Sequence, residues 1–243
     1  IAARGLHCHR GVGGQCRILP LRALAAAQRA ATRQATAIGT IDDLDEACKA
    51  AIDLGARVVN LSFGTPASAL REDDPDPHAD VVAYAAGHGA ILVAASGNSG
   101  TTERYFPACL PGVIAVGAVD DGGRPTSFTT RGDHVALCAP GHEVHTASIQ
   151  GYGPQTGTSF AAPLVTGAIA LLVARAARHS QPVTASMART WLRDTSRPFP
   201  ADVDRAGCGA GILDVAAAVL RVDHDLGAPG PAATTTAPAA LHA

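Results

Sequence analysis

The sequence predicts an α/β fold in three layers: a doubly wound, mostly parallel sheet with helices on both faces. Three observations carry this. Short runs that are apolar on both sides recur along the chain, and amphipathic helical stretches separate the early ones. A long, almost uninterrupted apolar run, "GTSFAAPLVTGAIALLVARAA" from Gly157 to Ala177, reads as a core helix. Strands apolar on both faces belong in a parallel sheet that helices cover above and below.

The elements follow in order. Arg17 to Leu24, "RILPLRAL", and Arg57 to Ser62, "RVVNLS", read as buried strands. Between them, "TIDDLDEACKAAIDLG" sets Ile41, Leu44, Ala47, Cys48, Ala51 and Ile52 on one helical face. Thr40 stands as N-cap, acids fill the first turn and Gly55 stops the helix. Asp80 to Ala86 reads as a helix, and Ala90 to Ser96, "AILVAAS", as a strand apolar on both faces. Further strands are expected at Val113 to Val119 and at His134 to Cys138. Such alternation gives right-handed crossovers and a ligand site at the carboxyl ends of the strands. From about Asp223 the chain turns rich in Pro, Ala and Thr, which supply no core. Residues 1–222 are therefore expected to form one domain and 223–243 a linker or disordered tail.

With 243 residues, 47% hydrophobic and 16% charged, the chain can bury one large core. A net charge of -2 lacks the electrostatic footprint that nucleic acid or an anionic membrane surface requires. The apolar stretch from Phe160 to Ala174 falls short of the ~20 residues of a membrane span, and Thr166 and Gly167 interrupt it. Six cysteines (Cys8, Cys16, Cys48, Cys109, Cys138 and Cys208) form no CxxC pair of the kind a zinc site uses. Their even number fits disulfides in a secreted protein, and free buried thiols are the alternative. The chain opens on Ile1 with no signal peptide, so the start of the gene product is expected upstream.

Ser159 stands in front of the long apolar run and admits two readings. Thr158 or Ser159 can cap the helix, since a side-chain oxygen satisfies a free backbone N–H there. Alternatively Ser159 is a nucleophile at the positive end of the helix dipole, where developing negative charge is favoured. Gly157 permits a backbone shape closed to other residues, and Pro163 is expected in the first turn, where a missing N–H costs little. "AASGNSG", Ala94 to Gly100, follows the buried strand. Asn98 can be a turn residue tolerating a left-handed backbone, or a donor aimed at an oxyanion.

These stretches, together with "VVNLSFG" at Val58 to Gly64, "FPACLPGVIAVGAVD" at Phe106 to Asp120 and "APG" at Ala139 to Gly141, resemble in order the successive motifs of subtilisin-like serine proteases. The resemblance runs from Ile1 to about Leu220. It implies a subtilisin-like fold in which Ser159 is the acylating nucleophile, and Asn98 with the Ser159 N–H forms the oxyanion hole. It further implies that Ser62, Phe63 and Gly64 bind extended peptide and form one wall of the S1 pocket. Ala95, Ser96 and Gly97 form the other wall, and Tyr105 lies at the pocket floor, where the family often keeps a small residue. The substrate is then a polypeptide added in extended form to a sheet edge.

A serine nucleophile needs a histidine base oriented by a carboxylate, in the chain order Asp, His, Ser for this family. The family's His opens a helix in an "HGT" motif, which does not occur here. "IAARG", Ile1 to Gly5, resembles the end of that helix, so the His and the earlier Asp are expected upstream of Ile1. This segment alone is then expected to be inactive and marginal in folding. His7 and His9 read as surface or structural, and His78, His88, His134, His142 and His145 as solvent exposed. An α/β-hydrolase would need a G-x-S-x-G elbow, but Ala161 stands two residues after Ser159. The remaining alternative is a subtilisin-fold module that grips peptides without cutting them. The chemistry needs no cofactor. Calcium often stabilises the family, but its ligand loops are not matched here, so no metal is assigned; Asp73, Asp74 and Asp76 read as a solvated loop. A secreted or wall-associated monomer, with no nucleic-acid partner and no membrane span, completes the expectation.

Overall fold

The computed structural model describes residues 11–28, 35–148 and 151–227. In chain order these form β1 (Ala25–Gln28), β2 (Ala35–Ile38), α1 (Ile41–Asp53), β3 (Val58–Leu61), β4 (Thr65–Pro66), a 3-10 turn (Ala67–Ala69), α2 (Ala79–Gly87) and β5 (Ile91–Ala95). There follow β6 (Tyr105–Phe106), β7 (Ile114–Val119), β8 (Val135–Pro140), β9 (Val144–Ser148), β10 (Gly151–Gln155), α3 (Thr158–Ala177), α4 (Ala185–Asp194) and α5 (Val215–Leu226). The tail beyond residue 227, Cys8, His7, His9 and the "IAARG" segment lie outside the described residues.

One parallel sheet, ordered β3-β5-β7-β8, forms the middle layer. All of β5 and β7 is buried. The two-residue period of a strand divides them: Ile91, Val93 and Ala95 enter one core with α3, α4 and α5, while Leu92 and Ala94 enter another with α1 and α2. Helices therefore cover both faces, as a doubly wound sheet requires. Alongside lie three small antiparallel pairs, β1 with β2, β4 with β6 and β9 with β10.

Helix α1 starts where its sequence says it should, because Thr40 Oγ1 accepts the Asp43 N–H at 3.1 Å. Gly55 follows its end with a φ of 92°, open to glycine at little cost. Leu44, Cys48, Ala51 and Ile52 are buried, but Ile41 is exposed and Asp45 is buried in its place. The reason is His78, only 2% exposed, whose Nδ1 lies 2.5 Å from Asp45 Oδ1. Burial pushes the Asp45 carboxyl upward, against the lowering that His78 exerts. This corrects the expectation that His78 is solvent exposed, and His134 is likewise only half-exposed, with a buried Nε2. His88, His142 and His145 are exposed.

The run at Arg17 to Leu24 is not a strand. Ile18, Leu19 and Leu21 are exposed there, and Pro20 removes a donor that a central ladder would need. The outer edge of β3 consequently has no neighbour among the described residues, which is why Val58 and Val59 are half-buried instead of enclosed.

By length and composition α3 could cross a membrane. In this fold Val165, Ala168, Ile169 and Leu172 are fully buried against the sheet and α5. Each large apolar side chain so enclosed contributes roughly 1.5–3 kcal/mol as an upper estimate. Polar clasps hold the outer helices in place: Arg175 pairs with Asp223, and Trp191 Nε1 donates to Asp225 at 2.9 Å. Helix α5 continues to Leu226, past the expected domain end near Val222.

Candidate active site

The carboxyl ends of the parallel strands carry the site, as the topology demands. Gly157 ends the approach to α3 with a φ of 145° and a ψ of 159°, a backbone shape that is essentially glycine's alone. No side chain of Thr158 or Ser159 caps the helix. The free Thr158 N–H instead donates to Asn98 Oδ1 at 2.9 Å, from a loop 60 positions earlier in the chain. The capping reading of these hydroxyls is thereby corrected, since the oxygen at the helix start arrives from another element.

Thr158 is completely buried, and its Oγ1 also donates to Asn98 Oδ1 at 2.9 Å while accepting the Gly97 N–H at 3.4 Å. Only an amide oxygen can accept both bonds, so the Asn98 carboxamide has one orientation. Its NH2 group is left over, with no acceptor among the described residues. A Cβ placed on Gly157 would stand 3.5 Å from Asn98 Nδ2, which locates that donor in front of the helix start.

Ser159, half-buried, is the second residue of α3. Its Oγ donates to the Ser62 carbonyl at 3.3 Å, and Ser62 Oγ donates to the Ser159 carbonyl at 3.0 Å. The second bond has a cause in the sequence. Pro163 lies in the second turn, not the first, and has no N–H for the carbonyl four residues before it, which is that of Ser159. The Ser62 hydroxyl supplies the missing donor from the end of β3. Ser62→Ala would strand this carbonyl, and we expect a loss of about 1–2 kcal/mol in urea denaturation. An unchanged midpoint and slope would show that solvent replaces the hydroxyl freely.

The remaining predicted residues surround this point, though not all present their side chains to it. Ala95 packs in the core above β5, and the buried Ser96 Oγ donates to the Thr130 carbonyl at 3.0 Å. Both can therefore offer a ligand only backbone. Phe63 turns into the core beneath α1 and α2, its ring 5.5 Å from that of His78. Gly64 and Gly97 carry no side chain here, and the Tyr105 ring packs against both. A Cβ on Gly97 would meet the Tyr105 ring at 2.6 Å, and one on Gly64 would meet it at 3.4 Å. The antiparallel pairing of β4 with β6 holds the ring there. Burial pushes the Tyr105 phenol upward, and Glu103 adds to this.

Sequence reasoning missed Thr158, which orients Asn98, and the reciprocal Ser62 bonds, although Pro163 signals an orphaned carbonyl at Ser159. Among the described residues no histidine or carboxylate hydrogen-bonds to Ser159, and no cluster of three or more His, Cys, Asp or Glu could hold a metal ion. The arrangement is a hydroxyl at the positive end of a helix of 20 residues, flanked by two N–H donors without acceptors, those of Asn98 Nδ2 and Ser159 N. Such a set suits a developing oxyanion.

The chain is 36% identical over 179 residues to the thermophilic serine proteinase of Bacillus sp. (strain AK1), covering 72% of this chain and 41% of that protein. It is 32% identical over 215 residues to mycosin-4 of Mycobacterium tuberculosis (strain ATCC 25618 / H37Rv), covering 76% of this chain and 46% of that protein. It thus spans less than half the length of either. Among solved structures, the patellamide maturation protease PatA superposes with a TM-score of 0.68 at 31% identity, over 76% of this chain and 70% of that one. The prenylagaramide maturation protease PagA gives a TM-score of 0.70 at 28% identity, over 78% and 70%. The Peptidase S8 model matches residues 1–227, and the chain belongs to the subtilase family.

Proposed function

We propose that the protein is a serine endopeptidase that cleaves extended polypeptides through an acyl-enzyme on Ser159. The observation that supports this most directly is that two bonds from Thr158, the residue before Ser159, fix the Asn98 carboxamide at the start of α3 from a loop 60 positions earlier than Thr158. Ser159 Oγ attacks the scissile carbonyl, and the oxygen that gains charge is met by Asn98 Nδ2 and the Ser159 N–H. The proton of Ser159 passes to a histidine base held by an aspartate, and both are sought upstream of Ile1 in the gene product. The chemistry draws on no cofactor. We place the enzyme outside the cell, in keeping with a relative that is an extracellular basic protease of Dichelobacter nodosus, and we expect it to be a monomer.

The test uses the natural gene product, with whatever precedes Ile1, an extended peptide and phenylmethylsulfonyl fluoride. Cleavage that stops as Ser159 becomes sulfonylated, mapped by mass spectrometry, is the expected result. Peptide binding with neither cleavage nor labelling would overturn the reading in favour of a silent peptide-binding module.

Tyr105 sets the preference. Its ring packs against Gly64 and Gly97 and fills the slot that would otherwise receive a large P1 side chain. Tyr105→Gly is expected to raise kcat/KM for a Phe P1 substrate over an Ala P1 substrate by roughly 10- to 100-fold. An unaltered ratio, measured on paired peptide substrates, would remove Tyr105 from the pocket.

A further inference from the structure

The far edge of the sheet is closed by a segment that carries one cysteine, and the strand it covers carries another. Residues Ala210 to Leu213 run along β8: the Ala210 N–H donates to the Ala136 carbonyl at 3.0 Å, the Cys138 N–H to Gly211 at 2.8 Å and the Leu213 N–H to Cys138 at 2.8 Å. Cys208 opens this segment. Both thiols are buried, Cys138 at 0% and Cys208 at 1% exposure, in a small apolar cluster with Val119, Phe199 and Ile212. Cys138 Sγ contacts the Cys208 carbonyl oxygen at 3.3 Å.

The space for that sulphur comes from a glycine. Gly117 is the partner of Cys138 in the β7–β8 register, and a Cβ there would lie 2.7 Å from Cys138 Sγ. The neighbouring strand is thus notched where the sulphur sits, beside the backbone of the second cysteine. Both thiols are reduced in this structure. The hydrogen bond with Cys208, aided by burial, holds the Cys138 thiol high, and accepting that bond lowers the Cys208 thiol.

We propose that in an oxidising medium Cys138 and Cys208 form a buried disulfide that staples the 208–213 segment to the edge of β8. The oxidant is a small-molecule disulfide such as glutathione disulfide. While the segment is still open during folding, the Cys208 thiolate attacks one sulphur of that disulfide and expels one glutathione thiolate. The Cys138 thiolate then attacks the Cys208 sulphur of the mixed disulfide and expels the second. Two protein thiols lose two hydrogens, and one glutathione disulfide becomes two glutathiones. The closed loop spans 70 positions and encloses all of α3 and α4, so cross-linking it constrains the unfolded chain strongly. It also anchors β8 just before Gly141, whose carbonyl accepts the Gly157 N–H at 2.8 Å ahead of Ser159.

The test refolds the chain in a glutathione redox buffer, alkylates it in guanidinium chloride and maps its peptides by mass spectrometry. A linked pair of peptides bearing Cys138 and Cys208, two hydrogens lighter than their sum, is expected. Alkylation of both residues, or pairing of either with a different cysteine, overturns the proposal. A second readout does not depend on any variant folding: dithiothreitol during refolding should lower the Tm by roughly 5–15 °C. Cys208→Ala should have a low Tm that dithiothreitol no longer moves. A reductant effect of the same size in wild type and Cys208→Ala would assign it elsewhere and sink the staple. None of these outcomes depends on Ser159 being catalytic.

Discussion

Ser159→Ala in the full gene product is expected to lower kcat/KM for peptide hydrolysis by about 10⁶-fold, a size carried over from the nucleophile of subtilisin itself. The physical reason is that in the proposed mechanism the hydroxyl supplies the atom that forms the acyl bond, whereas its neighbours only arrange and stabilise. Stability should scarcely change. The Ser159 hydroxyl is half-buried and its bond to the Ser62 carbonyl is long at 3.3 Å, so its removal is expected to cost about 0.5 kcal/mol or less. Affinity for an extended peptide should persist, because backbone pairing does not use the hydroxyl. Paired measurements of turnover and of peptide binding by the variant check this. Turnover within tenfold of the wild type would show that the acyl group is carried by another residue.

Substitutions at Asn98 separate two jobs that one side chain performs. Its oxygen takes the N–H and hydroxyl of the buried Thr158, and its NH2, with no acceptor among the described residues, is the proposed oxyanion donor. Asn98→Ala removes both functions. We expect kcat to fall by roughly 10²–10³-fold with KM little changed, the loss known for the matching donor of subtilisin, and stability to fall by about 1–3 kcal/mol because the Thr158 N–H is left without an acceptor. Asn98→Asp keeps two acceptor oxygens at the positive end of α3, so folding should be preserved or improved. It has no N–H, and it places a charge where the oxyanion forms. Its kcat should therefore drop at least as far as that of Asn98→Ala, with the urea midpoint intact. If Asn98→Asp instead unfolds while Asn98→Ala keeps its turnover, Asn98 is a structural cap and not an oxyanion donor.

These two sites also show how far local pattern reaches. Strands β5 and β7 were legible because every residue in them is apolar, a signature that needs no knowledge of neighbours. Thr40 and Gly55 were legible for the same reason, since a helix end is settled within one turn. Arg17 to Leu24 is also rich in apolar residues, though Arg17 and Arg22 flank and interrupt them, yet Pro20 and the lack of a paired neighbour leave it outside the sheet. A run of apolar residues states what could be buried, not whether a partner is present to bury it. His78 misled for a related reason: its partner Asp45 is 33 positions away, and nothing beside His78 announces it.

By itself the sequence determined the doubly wound class, the helix that follows Gly157 and the placement of Ser159 at its start, because these depend on short-range sterics and on apolar period. It also ordered the motifs that mark the subtilase family. Only the tertiary structure decided which atom caps α3, that the Asn98 oxygen is consumed while its nitrogen has no acceptor among the described residues, that Ser62 makes good the N–H lacking at Pro163, and that the Tyr105 ring packs against Gly64 and Gly97. Each of these is a contact of about 1 kcal/mol between segments brought together by the sheet crossovers, and so small a term leaves no trace in the local pattern of either segment.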